Sequence, residues 1–250
     1  MKVGVIGNTL LTFKAIKLLV ERGYEIQYVF GLPDDKLKNK VNSYNLRDFC
    51  LEKNIPFYNN NNWNLIADKK VNFVCEMGDS RIIPATFLQK NFVIGNHGAI
   101  LPSVQGAASL VWGKMLNSGH WGVSLMKVDV GVDSGSILKT KEVIYDKEAT
   151  TMEEFVGLCD DATIDCLKDF LNGKYTETKN EKWRLRISKK SDSKSVSDVL
   201  VFCLQNNINV YLPPRRPEDA RIRPLWDKMF VDNFKKANDF PYPKYYSEGA

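Results

Sequence analysis

Three consecutive segments at the start of the chain restrict its fold more than anything else in it. KVGVIG is a short apolar run ending in glycine. LLTFKAIKLLVERG carries apolar residues at helical spacing and stops at Gly23. EIQYVFG is a second short apolar run. Strand, helix and strand in that order build a parallel sheet covered by helices. The pattern continues: NLRDFCLEKN reads as helix, VNFVCEMG as strand, PATFLQK as a short helix and NFVIGNHG as strand. AASLVWGKMLNSG is helical, GVSLMKVDV is a strand and SGSILKTKEVIY extends the sheet. TTMEEFVGLCDDATIDCLKDFLNG is a long amphipathic helix, with Thr150 or Thr151 as N-cap, Glu153 and Glu154 in its first turn and Gly173 at its end. The predicted class is α/β, a doubly wound sheet over residues 1–180, followed by a small C-terminal subdomain over 181–250. The boundary is set near Asn180, where the polar stretch ISKKSDSKSVSD reads as a linker or loop ahead of a Pro-, Arg- and aromatic-rich tail. YNNNNWN, residues 58–64, reads as compositional bias.

Composition excludes several function classes. The 250 residues are 44% hydrophobic and 26% charged, enough for one sizeable core. The net charge of +5 comes without a dense Lys/Arg block, so it suits anionic small molecules better than nucleic acid. Cys50, Cys75, Cys159, Cys166 and Cys203 are widely spaced with no CxxC pair, as expected of reduced thiols in a cytoplasm. Two histidines exclude a His-rich metal centre, and no metal is expected. No apolar run reaches the ~20 residues that span a bilayer, and MKVGVIGNTLL reads as strand, turn and helix rather than a signal peptide, so no membrane partner is expected. GVIGNTLLT lacks the third glycine of a dinucleotide fingerprint and no acidic residue ends the second strand, which argues against NAD.

Chemistry concentrates around VIGNHGAILPSVQGAASLVWG. His97 falls at the carboxyl end of a strand, where doubly wound sheets bind ligands. Asp133 follows the next strand of the pattern, in VDVGVDSGSIL, so one excursion of the chain would return it beside His97. An imidazole beside a carboxylate can take and give a proton near neutral pH, and the amide of Asn96 can polarise a carbonyl. The same spacing equally suits a capping histidine and a turn aspartate. His120, in NSGHWG, reads as a surface residue.

The stretch from His97 to Gly106, HGAILPSVQG, resembles the His-x-[Ser/Ala]-x-Leu-Pro-x-x-x-Gly signature of the 10-formyltetrahydrofolate-dependent formyltransferases. GVSLMKVDVGVDSGSIL is similar to the second motif of that family, which carries the aspartate, and MGDSRIIP is similar to its pterin-cradling loop. The resemblance implies the formyltransferase-type Rossmann-like fold, a folate donor and no metal. It implies that His97, Asp133 and Asn96 carry the chemistry. The donor would lie against Met77, Gly78, Asp79, Ser80, Arg81, Ile82 and Ile83 and against Val130, Gly131 and Val132. Two positions depart from the family pattern. The asparagine usually found two residues before the histidine is replaced by Gly95, with Asn96 adjacent instead, and the residue before the signature glycine, often Arg, is Gln105. Either the strand ends at Ile94 or Gly95 and turns Asn96 into the site, the arrangement favoured from sequence, or Asn96 points away and another donor replaces it.

The tail bears on the acceptor. YLPPRRPEDARI and DFPYPKYYSEGA resemble segments of the sugar N-formyltransferases, which act on nucleotide-linked amino deoxysugars for surface polysaccharide such as O-antigen. Methionyl-tRNA formyltransferases share part of this tail but continue into a basic barrel that binds tRNA, so the resemblance implies a dTDP- or UDP-linked amino sugar, with 4-amino first. A methionyl-tRNA-type enzyme, or a catalytically degenerate module that only binds folate or nucleotide sugar, is the alternative. Gln105, Gly106, Arg215, Trp226 and Tyr242 are the expected acceptor contacts. Arg215, Arg216, Glu218 and Asp219 can equally form a salt-bridged loop, and Trp226, Tyr242, Tyr245 and Tyr246 can equally cover the core. The polar loop at 188–197 and the tail could support a homodimer, as in similar enzymes.

Overall fold

The computed structural model describes residues 1–37, 42–181 and 183–247. Its elements run β1 (Lys2–Ile6), α1 (Leu10–Glu21), β2 (Glu25–Gly31), α2 (Asp34–Leu37), α3 (Arg47–Glu52), β3 (Phe57–Asn59), α4 (Asn64–Ala67), β4 (Phe73–Glu76), α5 (Ala85–Leu88) and β5 (Val93–His97). They continue with β6 (Val104–Gly106), α6 (Ser109–Leu116), β7 (His120–Lys127), β8 (Ile137–Ile144), α7 (Met152–Leu171) and β9 (Leu185–Arg186). The last are α8 (Ser193–Gln205), β10 (Val210–Leu212), β11 (Arg221–Ile222), α9 (Lys228–Ala237) and β12 (Tyr246–Ser247).

Seven strands form the central sheet in the order β3-β2-β1-β4-β5-β7-β8. The pairings from β3 to β5 are parallel, and β7 and β8 are added antiparallel. Apolar alternation sends Val3, Val5, Phe73, Cys75 and Ile94 into one face, under α1 and α7. Ile6, Val74 and Val93 go to the other, with Phe30, Ile83 and Phe87. Parallel strands buried on both faces explain why these runs read as continuously apolar.

Helix α1 starts where it does because Thr9 caps it, each of Thr9 and Thr12 accepting a backbone N–H from the other. The Thr12 hydroxyl also donates to the Met77 carbonyl, so the cap ties α1 to the end of β4. Losing such a cap costs about 1 kcal/mol. Gly78, in the left-handed region at φ 72°, packs on this turn, and a Cβ there would lie 2.0 Å from Thr9 Oγ1.

The stretch read as a linker is half helix. Asp192 caps α8, its carboxylate accepting from the backbone of Lys194 and Ser195, and Ser193, Val196 and Ser197 are buried. Polar first-turn residues do capping work there. The region after 180 also shares the core: β10 pairs with β6 on one side and β9 on the other, and Val196, Leu200, Val210 and Phe234 join the main apolar cluster. His120 is exposed at the start of β7. Among the described residues no helix is long and apolar enough to cross a membrane, and no three metal-ligating side chains come together.

Candidate active site

His97 is the last residue of β5, at the carboxyl edge of the sheet, and its imidazole is buried. Nδ1 lies 3.4 Å from Asp133 Oδ1, and Nε2 lies 3.0 Å from the carbonyl of Val104. Both ring nitrogens therefore face acceptors. A neutral ring can donate to one of them, and the doubly protonated ring to both.

Asp133 reaches His97 from the β7–β8 connection, which doubles back over β5: Val128 lies against Gly95 and Asp133 against the ring. Its backbone is left-handed, φ 49°, a region aspartate tolerates better than most residues. Its Oδ2 accepts the Gly106 amide at 2.9 Å, and its side chain is only 13% exposed. Burial pushes the carboxyl pKa up, but the hydrogen bond and charge of His97, the Gly106 amide and the charge of Arg184 outweigh it, leaving a net value below the ordinary one. Gly106 itself must be glycine, because at φ 100° a Cβ would meet the Leu212 carbonyl oxygen at 2.2 Å.

Asn180 is a residue sequence reasoning marked only as a boundary. It is buried, and its Nδ2 donates to the carbonyls of Asp133 (2.8 Å) and Gly135 (3.1 Å). Its Oδ1 accepts from Gln105 Nε2 at 3.0 Å. One amide thus holds both ends of the aspartate turn and the residue before Gly106. Gln105 faces this network, fully buried, rather than an acceptor pocket.

The favoured expectation for Asn96 is not met. β5 does not end early: Asn96 pairs with Leu125 and His97 with Ser124 on antiparallel β7, which carries the strand through the histidine. Alternation then sends Asn96 to the face opposite the imidazole, where its Oδ1 accepts the Gly78 amide at 3.0 Å. The imidazole's own face holds Gly95, and the space beside it is taken by Glu76, which pairs with Gly95 from β4.

The loop expected to cradle the donor is anchored from within. Met77 turns inward: its side chain is buried, its amide donates to Ile6 and its carbonyl accepts from Thr12, so it offers the crevice no side chain. Asp79 is ion-paired to Arg81 at 2.6 Å. The Arg81 guanidinium also donates to the carbonyls of Phe30, Gly31 and Asn60 and lies over the rings of Phe30 and Trp63. It clamps the ends of β2 and β4 and the asparagine tract together. Ile83 is buried in the second cluster, whereas Ser80 is exposed and Ile82 is 78% exposed. In the Asp133 loop Gly131 is exposed, and Val130 and Val132 are 66% and 54% exposed. Exposed apolar side chains on both loops, with backbone polar groups between them, fit a flat, partly polar ring system such as a pterin.

The tail residues expected to bind the acceptor are packed against the protein's own aromatic residues and core. Arg215 lies over the rings of Trp112 on α6 and Phe234 on α9 and donates to the Asp219 carbonyl at 2.9 Å; burial lowers its pKa to about 10. Trp226 stacks edge-on against Phe230 and Phe234. Tyr242 is packed against the main core, where burial first and then the charges of Asp160 and Cys159 on α7 push its phenol upward. Arginine and aromatic residues build this packing for the same reason they build ligand pockets: large area and a polar handle.

Residues 35–157 match the sequence family described as formyl transferase. A methionyl-tRNA formyltransferase of Alkaliphilus oremlandii is 27% identical over 163 residues, covering 61% of this chain and 53% of that protein. The match thus spans about half the length of that relative. Among solved structures, the N-formyltransferase of Helicobacter canadensis, in complex with folinic acid and dTDP-3-aminofucose, superposes with a TM-score of 0.68 at 13% identity, over 98% of this chain and 84% of that one. A 4-N formyltransferase of Francisella tularensis gives 0.68 at 14% identity, over 98% and 91%. At these identities the structural likeness speaks for the fold. The sequence match marks residues 35–157 as a formyl transferase domain, and the structural likeness agrees with it in fold.

Proposed function

We propose that this protein transfers a formyl group from 10-formyltetrahydrofolate to the amine of a nucleotide-linked amino sugar. The observation that carries the reading is the His97–Asp133 pair at the carboxyl edge of the sheet, inside a formyl transferase domain. The folate, when bound, would supply an activated formyl group, and the exposed faces of Ile82, Val130 and Val132 would line its site. Asp133 accepts a hydrogen bond from Nδ1 of the imidazole and keeps the ring oriented. His97 then carries a proton to the departing nitrogen. The Gly106 amide and Asn180 hold Asp133 in place.

The choice of a sugar acceptor rests on the tail segments YLPPRRPEDARI and PYPKYY and on the ligand of the Helicobacter enzyme. The names of the sequence relatives favour a second reading, methionyl-tRNA as acceptor. One experiment separates them. Folate release from 10-formyltetrahydrofolate is followed by absorbance with dTDP- and UDP-linked 3-amino and 4-amino deoxysugars, and in parallel with methionyl-tRNA. Release that depends on an amino-sugar nucleotide is the expected result. Release with the tRNA alone moves the acceptor to the second reading, and release with neither removes the proposed activity.

A further inference from the structure

We propose that Glu76 is a further residue of the transfer chemistry, whose carboxylate binds the acceptor's amine and takes the proton the nitrogen loses as it attacks. The inference rests on the formyl-transfer reading above. Glu76 is the register partner of Gly95 across the parallel β4–β5 ladder, so the two project to one face of the sheet. His97 lies two residues beyond Gly95 and shares that face. Gly95 has no side chain, and the Glu76 carboxylate and a Val128 methyl share the room this leaves: a Cβ on Gly95 would lie 2.6 Å from Glu76 Oε2 and 2.7 Å from Val128 Cγ2. The other oxygen, Oε1, accepts the Asp79 amide at 2.8 Å, which fixes the direction of the carboxylate. Two strand residues span about 7 Å, so a half-buried carboxylate and an imidazole stand roughly one reacting centre apart at the same sheet edge.

The transfer needs two groups so placed. Forming the new N–C bond releases one proton from the attacking nitrogen. Breaking the old C–N bond sends its electron pair to the departing nitrogen, which must gain a proton. Glu76 receives the first proton and the His97 imidazolium supplies the second. Return of the proton from Glu76 to His97 through solvent restores both, with no oxidant or reductant involved. An ionised carboxylate only accepts hydrogen bonds, so it matches an amine N–H and not the formyl oxygen. Asn96 cannot take this part, because it lies on the opposite face and bonds Gly78.

The test compares Glu76→Gln, whose amide oxygen can keep the Asp79 bond, with Glu76→Ala. Calorimetry without folate measures binding of dTDP-3-aminofucose, or of whichever amino-sugar nucleotide the parent turns over fastest, against its hydroxyl counterpart. Glu76→Gln is expected to weaken the amine compound about tenfold and leave the hydroxyl compound unchanged. Its kcat is expected to fall about 10²–10⁴-fold with the KM for the folate donor unchanged, and added formate is expected to restore part of the rate of Glu76→Ala. If the parent transfers formyl and Glu76→Gln keeps its kcat and amine affinity, the inference is overturned and the functional reading stands. Rate loss matched by loss of folded protein, or an alanine variant that formate does not rescue, reduces Glu76 to an anchor of the Asp79 loop and overturns it as well. A parent that transfers to no amine overturns the reading and the inference together.

Discussion

Asp133 and Arg215 are two charged side chains that the fold takes largely out of water, and it treats them in opposite ways. Asp133 meets a second titratable group, a backbone amide and a loop with exposed apolar side chains. Arg215 meets two aromatic rings and one carbonyl, and its Nε has no partner. The first arrangement can move a proton. The second can only hold α6, α9 and the 217–220 turn together, since a guanidinium keeps its charge across the physiological range. Both regions take a charged side chain largely out of water; what separates them is whether the partner can also titrate and whether open surface lies beside the pair.

The comparison breaks or holds at four positions. The largest effect is expected at His97. His97→Asn should lower kcat by about 10²–10⁴-fold while folinic acid still binds, which steady-state rates and calorimetry together would show. A variant with parental turnover would leave the pair without a function.

Asp133→Asn comes next, with kcat down about a hundredfold, the low end for a group that acts through its neighbour. It also carries a pH signature. The folded-state pKa of Asp133 lies below the ordinary carboxylate value, so the stability it adds is complete above about pH 4 and is lost as the pH falls through the folded value. Thermal melts across that acid range should show a shallower pH slope in the asparagine variant than in the parent. Equal slopes would mean that the carboxylate is not held as described.

Arg215→Met should do the reverse of both. It is expected to cost about 1–3 kcal/mol of stability in denaturant titration and to leave kcat per folded molecule unchanged. A change in acceptor KM would return the tail to the binding site. The smallest effect is expected at Asn180. Asn180→Ala loses two donors to the Asp133 turn, about 1 kcal/mol of stability, with a several-fold loss of rate. In an Asp133→Asn background the same change should cost no further rate, because Asn180 acts through that aspartate. Additive losses in the double variant would detach it from the site.

What was legible in the sequence was what local pattern controls. The β1–α1–β2 unit, the placement of His97 after a strand and the return of Asp133 follow from apolar periodicity and glycine punctuation. Most of the failures depend on partners distant in the chain. Asn96 faces away from the imidazole because β7 extends β5 through His97. Glu76 enters the picture only through the parallel register that sets it against Gly95. Asn180 looked like the edge of a linker because nothing in the residues around it points to the Asp133 carbonyl. Asp192 and the serines after it looked like loop because capping chemistry and loop composition use the same residues.

The pairing of β6 with β10 has a consequence for how the protein is made. Residues 104–106, which carry the amide that Asp133 needs, are completed as a sheet only by residues 210–212. A nascent chain that has already exposed His97 and Asp133 still lacks the strand that backs Gly106, whose own conformation is shaped to lie against the Leu212 carbonyl. The backing of Gly106 therefore arrives late in translation, after the long-range β10 contact closes, and domains of this kind mature as a unit rather than piece by piece.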